Sequence, residues 1–126
     1  MKKSILLLTV FAVLISMITL CYAGEIKVIN EPGQEVNIEK FVDPNKTTIF
    51  DFFATWCGPC VRMTPMLENL AKNPNYVIYK VDIKDWGTPV CKQYNINSVP
   101  NFKIYEKGKL TYEGKEATQQ ILRLTK

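Results

Sequence analysis

The segment Ile49-Phe50-Asp51-Phe52-Phe53 is apolar on both sides of an extended chain. Successive side chains of a strand point to opposite faces, so such a run needs cover above and below. A strand of this kind belongs in the middle of a sheet with helices on both faces. We read it as Lys46–Phe53 and find a second central strand at Tyr76–Asp82. A short strand is expected from Glu25 to Asn30, ahead of a turn at Glu31-Pro32-Gly33-Gln34. Two further strands, Asn101–Glu106 and Leu110–Glu113, flank Lys107-Gly108-Lys109 as a hairpin. Helical stretches are expected at Ile38–Val42, Gly58–Lys72, Thr88-Pro89 to about Tyr94, and Ala117–Leu124. Thr88 is the expected cap of the third, with Pro89 at its first position. The second carries Met63, Met66, Leu67 and Leu70 at helical spacing, and Pro65 should kink it. Strands alternating with helices and ending in a hairpin define an α/β class with a central mixed β-sheet flanked by helices.

The amino-terminal segment reads as an address. Lys2 and Lys3 precede an apolar run from Ile5 to Leu20, and Cys21-Tyr22-Ala23 ends in small residues. This is the pattern of a secretory signal peptide over residues 1–23, cleaved after Ala23. The alternative is a membrane anchor formed by residues 5–20, a run short against the roughly 20 residues needed to span. A lipid-modified Cys21 is disfavoured by Leu20 before it. The expected domain is therefore 24–126, and the expected location is periplasmic or otherwise extracytoplasmic.

The charge is +4, from 16 basic and 12 acidic residues, and it is scattered, which excludes a nucleic-acid binder. Histidine is absent. Ser-His-Asp and Cys-His catalysis and every imidazole metal site are thereby excluded. Chemistry is left to Cys, Asp, Glu, Lys, Tyr or backbone groups, and the domain has three cysteines, Cys57, Cys60 and Cys91. Export places these thiols where disulfides persist.

Trp56-Cys57-Gly58-Pro59-Cys60 puts two cysteines three apart at a helix start. They share one face of the first turn, at a separation that a disulfide can span. Unpartnered amides and the helix dipole stabilise a thiolate at Cys57. Cys60, one turn in and more covered, is placed to resolve a mixed disulfide. A zinc knuckle would need four ligands, more than three cysteines without histidine supply. A purely structural bridge over so small a loop stabilises little, and an inactive copy is a third reading. The position between a buried strand and a kinked helix favours redox chemistry. Asp51, in its apolar strand, is desolvated and should be hard to ionise, which marks it as a functional residue. Cys91, beside Val90, is expected to be a buried core residue, with a third redox thiol or an intermolecular bridge as alternatives.

Asp51-Phe52-Phe53-Ala54-Thr55-Trp56-Cys57-Gly58-Pro59-Cys60, then Pro65, then Ser98-Val99-Pro100, resembles the thioredoxin superfamily, and most closely its exported bacterial single-domain members. The resemblance covers about Lys46 to Leu124 and implies the thioredoxin fold. It implies that Asp51 accepts the proton of Cys60, with Lys80 beside it. It implies a cis peptide bond at Pro100, with the backbone of Val99 pairing with substrate. Trp56 would shield the thiolate, and Gly58, Pro59 and Gly114 would line the same groove. The chain departs from cytosolic members in carrying Phe53 for tryptophan and Asn101 for threonine, and its N-terminal strand and helix are abbreviated.

The expected activity is thiol-disulfide exchange by a Cys57/Cys60 couple, reducing disulfides of exported proteins as a monomer, without metal or organic cofactor. A membrane-embedded thiol reductase would supply the electrons. The alternatives are a dedicated reductant for cytochrome c maturation, whose members carry an acidic residue near the cis-proline where this chain has Asn101, and a non-catalytic binding or chaperone module. The Gly58-Pro59 dipeptide and the lack of histidine predict a reducing poise. Strongly oxidising members of the superfamily place a histidine between their cysteines, and known potentials span about 150 mV between the two types.

Overall fold

Cover on both faces is what the central strand receives. In the computed structural model, which describes Lys2, Lys3 and residues 24–126, Thr47–Phe53 (β2) lies in the middle of a five-stranded sheet. Apart from Lys2 and Lys3, the predicted signal peptide with its cleavage after Ala23, the alternative anchor at residues 5–20 and Cys21 lie outside the described residues. Around β2 the order is β1-β3-β2-β4-β5, with β1 at Lys27–Val28, β3 at Tyr76–Asp82, β4 at Asn101–Glu106 and β5 at Lys109–Glu113. β3 runs parallel to both β1 and β2, and β4 is antiparallel to β2 and β5. The sheet is therefore mixed, as expected.

The helices follow the predicted spans closely. α1 is Gly58–Ala71 and continues through Pro65, α2 is Pro89–Tyr94, and α3 is Gly114–Leu124. A short 3-10 turn occupies Ile38–Phe41. Met63, Leu67 and Leu70 of α1 join Ala117 and Ile121 of α3 over Ile49, Ile78, Phe102 and Ile104. On the opposite face Ile38, Val90, Cys91 and Ile96 pack with Phe50, Phe52, Val81 and Ile83. Phe50, Phe52 and Phe102 are fully buried, each contributing about 2–3 kcal/mol of apolar transfer free energy.

Three local expectations need correction. β1 has two residues rather than six, because the chain leaves the sheet edge after Ile29 donates its amide to Lys80 O at 3.0 Å. Asn30 then bonds instead to the backbone of Asp82 through its side-chain amide. Thr88 is the N-cap of α2, with Pro89 in its first turn, as expected; its hydroxyl makes no bond to a helix amide and donates to Ile83 O at 2.9 Å, back into the preceding loop. The β4–β5 turn has two residues rather than three. Lys107 and Gly108 both take positive φ, 49° and 83°, the geometry that matches the twist of a two-residue hairpin and that glycine adopts without steric cost. α3 starts at Gly114 rather than Ala117, since Gly114, at φ 59°, turns the chain directly out of β5.

Candidate functional site

Parallel β2 and β3 end where antiparallel β4 begins. Phe52 is opposite Asn101, and Phe53 is opposite Asp82. Phe53, Pro100 and Asp82 thus sit at one end of the sheet. β5 runs back toward the same end, with Glu113 opposite Lys103, so Gly114 emerges there as well. The loop from β2 carries Trp56 and Cys57 into this end and enters α1.

Cys57 is the N-cap of α1, and Gly58 and Pro59 form its opening. Proline suits this position, where the amide has no helical partner. The two cysteines form a disulfide with a Cα–Cα separation of 5.3 Å. The Cys60 amide donates to Cys57 Sγ at 3.1 Å. A sulfur that already accepts a backbone amide at a helix N-terminus is well placed to carry negative charge once reduced. Burial does not separate the pair as expected. In the disulfide both residues are covered, Cys57 at 4% exposure and Cys60 at 2%.

Asp51 shares the face of Ile49, the side that α1 covers. It is 1% exposed, and neither carboxylate oxygen has a hydrogen-bond partner. Burial pushes its pKa up from 3.8 to about 6, against the opposing pull of the Lys80 ammonium. That ammonium lies 3.6 Å from Oδ2, an ion-pair distance too long for a hydrogen bond. Lys80 is directly opposite Asp51 on β3, and its Nζ stands 4.4 Å above the Phe53 ring. It also reaches Thr64 Oγ1 at 3.5 Å, and the Thr64 hydroxyl donates to Cys60 O at 3.3 Å. A chain of polar groups therefore runs from the buried carboxylate to the backbone of the second cysteine. Thr64 was missed in the sequence, although its position four residues after Cys60 puts it on the same helix face.

The Val99-Pro100 bond is cis, as the resemblance implied. Val99 packs against the cluster that contains both cysteines. Trp56 is 50% exposed, and its indole N–H donates to Lys84 O at 2.7 Å. Its ring meets Trp86 edge to face, centroids 5.4 Å apart. Nothing in the local pattern of Lys84-Asp85-Trp86 could have pointed to that meeting, because the loop after β3 reaches Trp56 only in the folded chain. Cys91 is a buried free thiol, in keeping with the core reading. Among the described residues no three acidic or cysteine side chains converge on a point that could hold a metal.

The family's sequence model, described as thioredoxin, matches residues 29–126. The thioredoxin of Chlamydia trachomatis is 42% identical over 79 residues, covering 60% of this chain and 76% of that protein. Thioredoxin 1 of Plasmodium falciparum is 37% identical over 75 residues, covering 59% and 71%. Among solved structures, spinach chloroplast thioredoxin f superposes with a TM-score of 0.62 at 25% identity, covering 82% of this chain and 94% of that one. The oxidised thioredoxin of Plasmodium falciparum superposes at 0.58 with 30% identity, covering 81% and 100%. The fold, the cysteine pair bridged at the start of α1 and these likenesses agree: the chain belongs to the thioredoxin family and is a thiol-disulfide oxidoreductase with Cys57 and Cys60 as its redox pair.

Proposed function

We propose that this oxidoreductase works outside the cytoplasm as a reductant of disulfides in exported proteins. The observation that carries the direction of attack is the Cys60 amide on Cys57 Sγ, which favours the thiolate at Cys57. That thiolate attacks a substrate disulfide. A bond forms between Cys57 Sγ and one substrate sulfur, the substrate S–S bond breaks, and the other substrate sulfur leaves as a thiolate that takes a proton from water. Asp51 then accepts the thiol proton of Cys60, which the pKa near 6 suits at neutral pH. The Cys60 thiolate attacks Cys57 Sγ, the intramolecular disulfide closes as the mixed disulfide breaks, and the second substrate sulfur leaves as a thiolate that takes up the proton held by Asp51. Two electrons have passed to the substrate. Val99 and Pro100 dock the substrate backbone, Trp56, Gly58 and Pro59 shape the surface around the sulfur, and Gly114 borders it.

The reading of export rests on the basic start, apolar run and small residues of 1–23. A reducing poise, argued from Gly58-Pro59 and the absence of histidine, makes the protein dependent on a supply of electrons in an oxidising compartment. A membrane-embedded thiol reductase that carries them from the cytoplasm is the partner this chemistry calls for.

Insulin reduction by wild type and Cys57→Ser, with equilibration against glutathione buffers, tests the activity and its direction. Turnover should vanish in the variant, and the potential should fall near the thioredoxin end. A poise about 150 mV more oxidising would make the protein a disulfide donor. Expression in a secreting host should yield a chain beginning at Gly24. An intact Met1 start in the membrane fraction would replace the exported form with an anchored one.

A further inference from the structure

Trp86 is 48% exposed and lies against the half-exposed Trp56, so two large rings present a joint apolar face immediately before the nucleophilic cysteine. The one polar atom of Trp56 is already taken up by Lys84 O. The loop that holds Trp86 is tied down. The Lys84 amide donates to Asp82 Oδ1 and the Trp86 amide to Asp85 Oδ1, both at 2.7 Å, while the Asp85 amide donates to Ile83 O, also at 2.7 Å. The face is thus formed in advance, and a ligand covering it loses little to ordering the loop. Lys84 and Asp85 beside it carry opposite charges, so the face has no sign to recognise.

We infer that Trp86 is a specificity-determining residue, which with Trp56 seats a flat apolar side chain of the substrate next to the cysteine under attack. Continuity with the redox pair identifies the occupant. In the mixed disulfide the substrate sulfur is bonded to Cys57 Sγ, and Trp56 is the neighbouring residue, about 3.8 Å away along the backbone. A substrate residue adjacent to its own cysteine therefore falls on the Trp56–Trp86 face. Aromatic rings fill it best, since edge-to-face and offset contacts add to the area they cover. The inference rests on the thiol-disulfide activity and is independent of where the protein is located.

The test uses two disulfide-linked peptides that differ at one position beside the attacked cysteine, phenylalanine in one and alanine in the other. Protein reduced with dithiothreitol is assayed as wild type, Trp86→Ala and Trp86→Phe. Wild type should favour the phenylalanine peptide by about threefold to tenfold in kcat/KM, the range of one aromatic contact. The preference should lie in KM, since the contact is made equally before and during sulfur transfer. Trp86→Ala should bring the ratio toward one, and Trp86→Phe should restore most of it. A merely structural role would lower both peptides together and leave the ratio alone. An unchanged ratio in Trp86→Ala, or no preference in wild type, overturns the assignment.

Discussion

Asp51→Asn tests whether the carboxyl is as desolvated as its surroundings require. The side chain keeps its shape and loses its charge. Raising the carboxyl pKa from 3.8 to about 6 corresponds to about 3 kcal/mol. The folded protein holds this proton more tightly than the unfolded chain. Wild type therefore loses stability as pH rises through that interval and bears the full penalty above it. Asparagine does not titrate. The stability of the variant relative to wild type should thus climb by about 2–3 kcal/mol from about pH 4 to about pH 7. Two costs work against the variant: its amide is buried without a partner, and Lys80 keeps a charge that no longer faces a carboxylate. Neither changes with pH over this interval, so they shift the offset and leave the slope. Urea denaturation of both oxidised proteins across the interval gives the difference directly. A flat difference would show that the carboxyl ionises as readily in the fold as outside it, and would remove the basis for Asp51 as a proton acceptor near neutrality. The same variant should slow release of the mixed disulfide in the proposed mechanism, measured by stopped-flow reduction of a peptide.

Other consequences are independent of Asp51. In the reduced protein Cys57 should alkylate with iodoacetamide near neutral pH well before Cys60, read by peptide mass mapping; equal rates would contradict the nucleophile assignment. Tyr94→Phe should cost about 1–3 kcal/mol, because the Tyr94 hydroxyl accepts from the amide of the buried Ile38 and donates to Val36 O. An unchanged urea midpoint would mean that the Ile38 amide has another partner. Leu67→Ala, in the fully covered contact of α1 with the sheet, should cost about 2–5 kcal/mol by denaturation. A loss under about 1 kcal/mol would show that the helix can settle into the space.

Which parts of this protein could be read from the sequence follows from the range of the forces involved. β3 and α2 were legible to the residue because their signals are local: a strand-length stretch rich in β-branched and aromatic residues in one, and Pro89 at the first helical position in the other. The redox pair was equally legible, since both cysteines and the helix start that activates them lie within four residues. The hydrophobic demand of Ile49–Phe53 required cover on two faces, but it did not say which helices supply it. Tertiary structure decided that α1 and α3 share one face while α2 and the 3-10 turn take the other. It also decided where local signals mislead. Thr88 takes the N-cap position of α2, yet its hydroxyl turns back to Ile83 O and makes no bond to a helix amide. Gly114 begins α3 early because the end of β5 delivers the chain there. The link from Asp51 through Lys80 and Thr64 to Cys60 joins β2, β3 and α1, and the Trp56–Trp86 face joins two loops. Those side chains are far apart along the chain, so only the closing of the sheet brings them within the few ångströms at which ion pairs, hydrogen bonds and ring contacts act.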